Sequence, residues 1–222
     1  MKILNLYACL GGNRYKWNEV KEDIQVTAVE LDPEAARLYK ERFPNDTVIV
    51  ADAHQYLLDH YKEFDFIWSS PPCPTHSKVR ITQKNTPSFK PMFPDMKLYE
   101  EIIFLQNHFE GKYVVENVTP YYEPLILAKK RGRHLYWTNF NLPSDLGERE
   151  IGKGKMCGQI NKEREFLEKF HKIDLSTYAG TQDRRKIARN LVDYEAGKTI
   201  FETYLGIEKS KNVSQKQLFT EA

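Results

Sequence analysis

Residues 25–43 read QVTAVELDPEAARLYKERF, and the change of period inside this stretch decides the fold class. QVTAVEL, rich in β-branched residues, reads as a strand that ends in an acid. Asp32 then stands at a capping position with Pro33 at the first helical position, and Ala36, Tyr39 and Phe43 recur at helical spacing. A strand passing directly into a capped amphipathic helix is half of a βαβ unit. The same alternation continues on both sides. KILNLYA is followed by NRYKWNEVKE, DTVIVA by AHQYLLDHYKEF, FDFIWS by PDMKLYEEIIFLQNHF, and KYVVENV closes the series. Strand and helix alternating five times predict an α/β fold, a doubly wound and mostly parallel sheet with helices on both faces. In such sheets ligands sit beyond the carboxyl ends of the strands, so residues just after each strand carry the information about function.

Past Tyr121 the rhythm changes. HLYWTNF reads as one more strand, and residues 141–180 show no clear periodicity, which predicts a small loop-rich insertion. Helical spacing returns in DRRKIARNLVDYEAGKTIFETYL, and the polar stretch EKSKNVSQKQLFTEA predicts a frayed tail. The expected layout is a catalytic unit over 1–140 and 181–206, the insertion at 141–180 and a tail over 207–222.

Composition narrows the classes. With 222 residues the chain suffices for one substantial domain, and 41% hydrophobic with 29% charged residues marks a globular protein, neither disordered nor membrane-spanning. No apolar run is long enough to span a bilayer and the first residues lack a leader pattern, so a cytoplasmic location is expected. A net charge of +2 permits a polyanionic partner without requiring one, leaving that question to local patches. Cys9, Cys73 and Cys157 form no CxxC pair, and the six histidines show no ligand spacing, so neither a disulfide framework nor a metal site is expected.

The strand ends carry the chemistry. The first strand runs into YACLGGNR, where a glycine pair allows a sharp turn whose N–H groups can receive an anionic group. Taken alone this is also an ordinary tight turn. The second strand ends in Glu30, at the place where an acid often holds a ribose hydroxyl pair, with Leu31 available to an adenine ring; taken alone, Glu30 reads rather as a solvated carboxylate near a helix start. After the third strand, Asp52 can accept from an adenine amino group or act as a helix N-cap. Together the three describe a site for an adenosine-containing ligand whose charged end meets the glycine turn.

The fourth strand delivers SSPPCPTHS at 69–77. An isolated cysteine is usually an inert buried one. Prolines 71, 72 and 74 alter that reading, because they remove backbone donors, fix φ and hold Cys73 rigidly at the carboxyl edge of the sheet, as a nucleophile requires. The fifth strand places Glu116 among valines, where a carboxyl group can have a raised pKa and donate a proton. A basic run, KKRGRH, follows.

YACLGG, VELDP, SPPCP, VENV and RGR in that order resemble the DNA cytosine-5 methyltransferases, over most of residues 3–140 and again at ARNLV. The phrasing around YYEP and GRHLYWTNF is similar to the small versions carried by bacteriophages. The resemblance implies a Rossmann-like methyltransferase with S-adenosylmethionine as cofactor and S-adenosylhomocysteine as product. Carbon 5 of cytosine is a poor nucleophile, so in this family a cysteine thiolate adds to carbon 6; Cys73 takes that role. Glu116 would bind ring nitrogen 3 and the exocyclic amine, Arg133 the base's O2, and Arg131 would support the site. A stacked base cannot reach such a site and must be flipped out. Glu30, Leu31 and Asp52 would meet the cofactor's adenosine and Leu10, Gly11 and Gly12 its methionine part; Tyr7, Cys9, Ala53 and Pro71 would also line the cofactor site, with Asn190 and Val192 closing it.

Three positions depart from the family pattern. Cys9 stands where glycine is usual, Pro74 follows the nucleophile in place of glutamine, and Lys129 precedes the arginine pair in place of glutamine. If the backbone at Cys9 needs positive φ, its side chain costs about 1 kcal/mol. The resemblance further implies a double-stranded DNA substrate and a monomer. DNA contacts are expected from the loop after the nucleophile, at Ser77, Lys78, Arg80 and Lys84. Others are expected from the insertion, at Arg149, Lys153, Lys155 and Gln159. Methylation of tRNA, or binding of DNA or cofactor without catalysis, are the alternatives at this stage.

Overall fold

The computed structural model of the chain describes residues 1–82, 84–87, 89–149 and 160–207. Seven strands, β1 (Lys2–Leu6), β2 (Gln25–Glu30), β3 (Thr47–Val50), β4 (Phe66–Ser69), β5 (Lys112–Val118), β6 (Lys129–Arg131) and β7 (His134–Thr138), form one sheet in the order β3-β2-β1-β4-β5-β7-β6. All pairs from β3 to β5 are parallel, and β7 alone runs against its neighbours. Strand order reverses between β1 and β4, which places the ligand crevice of a doubly wound sheet beyond those two strand ends.

Helix α2 (Pro33–Arg42) begins as the sequence dictates, with the Asp32 carboxylate accepting from the N–H groups of Glu34 and Ala35. Helix α3 (Ala53–His60) is capped in the same way by Asp52. One face of the sheet is covered by α3 and α5 (Lys97–His108), which bury Leu57, Leu98, Ile102 and Leu105 against Leu4, Leu6, Ile67 and Val115. The other face packs against α1 (Trp17–Val20) and α8 (Tyr194–Tyr204) through Trp17, Phe66, Trp68 and Phe201. Trp17 stacks on Phe201 at 5.2 Å and donates its Nε1 hydrogen to the Gly197 carbonyl. A buried ring of this size contributes roughly 3–5 kcal/mol.

Several elements differ from the sequence reading, among them β6, which in the sequence reads only as a basic run. The first helix shrinks to the four residues of α1, because Asn13 and Arg14 are drawn into buried polar contacts with Asn5 and Asp46. Residues 183–205 form two helices, α7 (Arg184–Asn190) and α8, parted at Leu191–Asp193 where Asp193 caps the second. A short helix, α4 (Lys78–Thr82), follows the cysteine loop. The stretch expected to consist of loops contains α6 (Ile160–His171), whose Leu167 packs with Ile187 and Leu191 against Leu10 of the first turn. Part of the expected insertion is thereby a wall of the main domain. The tail over 208–222 lies outside the described residues.

Candidate active site

The turn after β1 is strained. Tyr7, Cys9 and Gly11 all have positive φ, at 54°, 46° and 66°, and only the last is a glycine. Left-handed backbone costs a side chain about 1–2 kcal/mol, so surrounding contacts must hold the turn in place. They are identifiable. The Cys9 N–H donates to Glu30 Oε2 at 2.8 Å, and the N–H of Asp32 donates to Glu30 Oε1 at 2.9 Å. The Tyr7 hydroxyl donates to Glu101 Oε1 at 2.5 Å. A Cβ on Gly11 would strike the Phe43 and Tyr39 rings, and one on Gly12 would lie 2.5 Å from the Val192 carbonyl. Gly12 thus permits the return of Leu191 and Val192 against the turn, while Asn190, expected to help close the site, is exposed.

Burial pushes the Cys9 thiol up, and Glu30 nearby adds to the effect. Cys9 is therefore a neutral, partly buried side chain on strained backbone. Cys9→Gly is expected to raise stability by about 1 kcal/mol and to leave cofactor affinity unchanged or tighter, read from a denaturant midpoint and a calorimetric titration. A loss of affinity would mean that the sulfur makes a useful contact.

Glu30 is itself pushed up by burial, against the N–H groups that bind it. A carboxylate has about four acceptor sites, so two remain for a hydroxyl pair. Leu31, 67% exposed, offers an apolar edge at the end of β2. Asp52 caps α3 with one oxygen and faces Lys97 Nζ at 3.6 Å with the other; N–H donation from Gln55 holds its pKa low. Asp32 is pushed up by burial, but hydrogen bonds from Tyr178 and Gln182 more than offset this and hold it low. Acceptor capacity at Glu30, an apolar edge at Leu31 and a glycine turn at the sheet's reversal point fit an adenosine-containing cofactor.

A cluster that sequence reading missed ties these strand ends together. Glu101 of α5 is fully buried and receives Tyr7, Ser69 at the end of β4 (2.6 Å) and His54 Nδ1 (3.0 Å). It clamps β1 to β4 across the reversal point. In sequence it is one of two adjacent glutamates on a helix, and nothing local marks it. His54 is raised by its hydrogen bond to Glu101, against some desolvation. A folded-state pKa above the usual 6.5 means that this contact stabilises fully below about pH 6.5 and fades as pH rises through the raised value. The melting-temperature advantage of the wild type over His54→Gln is expected to shrink on going from about pH 6 to about pH 8. A constant difference would deny the linkage.

Beyond β4, the loop carrying Cys73 is held from three sides. The N–H groups of His76 and Ser77 both donate to the Cys73 carbonyl at 3.0 Å. Asn117, buried at the end of β5, donates to the Pro71 carbonyl at 2.9 Å. Asp95 N–H donates to Thr75 Oγ1 at 2.9 Å. Asn117 also went unassigned in the sequence, since its role depends on a contact 46 residues away.

Glu116, buried, sits one residue before Asn117 on β5 with His134 Nε2 at 3.6 Å. Cys73 lies within the field of both Glu116 and Arg133. Its thiol is raised by burial first and by Glu116 second, while Arg133 pulls it down. The sheet sets these residues at neighbouring strand ends: β4 lies beside β5, Asn117 ties β5 to the Cys73 loop, and Val118 pairs with His134, the residue after Arg133. Arg133 donates to the Arg189 carbonyl at 3.2 Å, which also connects it to the segment containing Asn190. Gly132, at φ 52°, makes the tight turn between β6 and β7 with the Glu148 carboxylate against it. Arg131 is directed elsewhere, onto the carbonyls of Leu142 and Pro143.

Among the expected DNA contacts, Lys78 and Lys84 are exposed. Ser77 Oγ accepts from the N–H of Val79, and Arg80 stacks on Phe89 while donating to the Lys90 carbonyl. Phe93, 93% exposed, and Met92 lie farther along the same loop. Arg149 departs from expectation. Its guanidinium pairs with Asp193 at 2.7 Å and lies 3.8 Å from the ring centroids of both Phe170 and Tyr194, so it braces α6 against α8 and is not presented to a partner. Lys153, Lys155 and Gln159 lie outside the described residues. Among the described residues there is no helix long and apolar enough to cross a membrane, and no group of three or more histidines, cysteines or carboxylates placed to hold a metal ion.

Comparison with known proteins gives three results. The family of C-5 cytosine-specific DNA methylases matches residues 1–120. Comparison with curated proteins gives no match. Several solved structures are similar. A mutant of DNMT2 from Spodoptera frugiperda shares 27% identity over 53% of this chain and 35% of that one, with a TM-score of 0.38. A prophage-encoded E. coli protein described as a DNA modification methyltransferase shares 18% over 55% of this chain and 34% of that one, TM-score 0.38. The alignments thus span only about a third of either relative. The Entamoeba histolytica methyltransferase EhMeth shares 8% identity over 94% of this chain and 99% of that one, TM-score 0.52, a likeness of fold.

Proposed function

Because the chain belongs to the C-5 cytosine-specific DNA methylase family, whose match covers residues 1–120, we propose that it methylates carbon 5 of a cytosine flipped from duplex DNA, through a covalent adduct at Cys73. The observation that carries this reading is the placement of Cys73, Glu116 and Arg133 at the neighbouring ends of β4, β5 and the β6–β7 turn, with Asn117 beside Glu116 tying β5 to the Cys73 loop.

When bound, S-adenosylmethionine supplies the methyl group. Glu30, Leu31 and the turn over residues 7–12 hold it, with residues 190–192 closing the site. The Cys73 thiolate adds to carbon 6 of the ring. Glu116 binds the exocyclic amine and delivers a proton to nitrogen 3 as the sulfur–carbon bond forms, which neutralises the negative charge that addition places on the ring. Arg133 serves the base's O2 and favours the thiolate. Carbon 5 then takes the methyl group; its proton passes to water as the carbon–sulfur bond breaks, and the proton on nitrogen 3 returns to Glu116, which restores the aromatic ring and the free enzyme.

The raised thiol pKa has a consequence for timing. Burial and the Glu116 carboxylate favour the protonated resting thiol, so in this reading Cys73 releases its proton to solvent as the substrate binds. The segment after Cys73 carries Lys78 and Lys84, both exposed, with Arg80, and is suited to close over a phosphate backbone and dry the site at that moment. We assign residues 141–180 to target recognition only in part, since α6 and Arg149 are engaged in packing.

The test is trapping on duplex DNA bearing 5-fluorocytosine with S-adenosylmethionine present. Fluorine cannot leave as a proton does, so a competent enzyme remains attached as a denaturation-resistant adduct. A band is expected on DNA. Trapping on tRNA alone would move the substrate to RNA, and no band on either would leave a binding protein.

A further inference from the structure

The connection from β5 to β6 is unusual for strands that run in the same direction. Parallel strands are normally joined by a crossover of a dozen or more residues, usually a helix. Here residues 119–128 make the crossing without one. Its absence leaves a cleft of about 660 Å³ between this connection, α4 and β6, within the ~300–1,000 Å³ typical of small-ligand sites. Leu135 lines it, Tyr121 and Tyr122 form an aromatic side, and Lys78 and Lys130 bring two positive charges against the single acid Glu123.

Three further observations bear on what enters. Neither lysine side chain has a hydrogen-bonded or ionic partner among the described residues, so both are available to an anion. Tyr122 is fixed by its hydroxyl contacts to His76 Nδ1 and Tyr99, whereas Tyr121 packs edge-on to it at 5.1 Å with its own hydroxyl unengaged. The cleft is also fastened to the nucleophile's loop. Ser77 bridges to Pro120, and the Tyr121 N–H donates to the His76 carbonyl at 3.1 Å. A ligand in the cleft therefore lies at the carboxyl edge of the sheet, beside the loop that holds Cys73.

We propose that this cleft binds one nucleotide of the substrate strand next to the target cytosine, its phosphate between Lys78 and Lys130 and its base against Tyr121. Paired cations with an aromatic face are the chemistry that holds a single nucleotide without reading its sequence. The inference rests on the function proposed above and adds a recognition element outside residues 141–180.

Binding of a fluorescein-labelled, cytosine-containing duplex by anisotropy at several salt concentrations tests it, using the full chain with S-adenosylhomocysteine present. Lys130→Glu is expected to weaken binding about tenfold or more and to lower the salt slope by about 1. Tyr121→Ala is expected to weaken it several-fold with the salt slope unchanged. Cofactor affinity, measured separately, should be unaltered in both and serves as the folding check. Wild-type affinity and slope in both variants would overturn the cleft assignment while leaving the proposed function standing. A wild type that binds a hairpin RNA and no duplex would correct the substrate, and the same two variants would then judge the cleft on RNA. Binding to neither nucleic acid would remove both proposals. Dimer formation abolished by Leu127→Glu, a residue 97% exposed at the cleft, would give the surface to a second copy of the chain and overturn the proposal.

Discussion

Cys73→Ala is expected to lower methyl transfer by roughly four orders of magnitude or more, the scale on which removal of a covalent nucleophile is felt, while cofactor binding persists. The separation follows from position. Residues fitted to the adenosine side lie at the ends of β1, β2 and β3, and Cys73 lies past β4 on a loop held by Asn117, Asp95 and its own carbonyl contacts. Losing one sulfur leaves that frame in place. The 5-fluorocytosine adduct should vanish in the same variant. Before the base arrives, burial and Glu116 keep the thiol protonated near neutrality, so kcat/KM of the wild type should climb with pH and show no plateau at an ordinary thiol value. Methylation persisting in Cys73→Ala would remove the proposed chemistry altogether.

Features written in local pattern were legible in the sequence, and those made by distant pairing were not. The alternation from KILNLYA to KYVVENV gave the sheet, because each strand and helix repeats its own period. Proline spacing singled out Cys73, and a carboxylate among valines singled out Glu116. By contrast, Glu101 matters because a tyrosine 94 residues earlier and a serine 32 residues earlier both meet it. Arg149 read as a surface cation because its partners, Asp193 and Tyr194, come 44 and 45 residues later. Helix α6 was hidden for a different reason. Its buried and half-buried apolar residues, Phe166, Leu167 and Phe170, crowd into its second half, leaving the first half without a periodic signal. The strain at Cys9 was foreseen only as a condition on φ, which the turn fulfils.

Glu116→Gln is expected to lower kcat by roughly 10²–10⁴-fold, the usual range for a positioned acid or base, with duplex binding retained. Glutamine keeps the shape and can still accept or donate a hydrogen bond. It cannot give up the proton that nitrogen 3 takes as the sulfur adds to carbon 6. The same substitution acts oppositely on the nucleophile. Glu116 is the second cause of the raised Cys73 thiol, so without its charge Arg133 acts unopposed by that carboxylate and the thiolate forms at lower pH. Alkylation of Cys73 by iodoacetamide should therefore reach its half-maximal rate at lower pH in Glu116→Gln than in the wild type, even as methyl transfer falls. That opposition separates the proposal from simple damage to the site. A distorted loop would alter alkylation without an ordered shift in its pH profile, and loss of the contact to His134, 3.6 Å away, would show as a lower melting temperature. Transfer retained to within about threefold, with the alkylation profile unmoved, would mean that Glu116 does not face the reacting base and that the acid must be sought elsewhere.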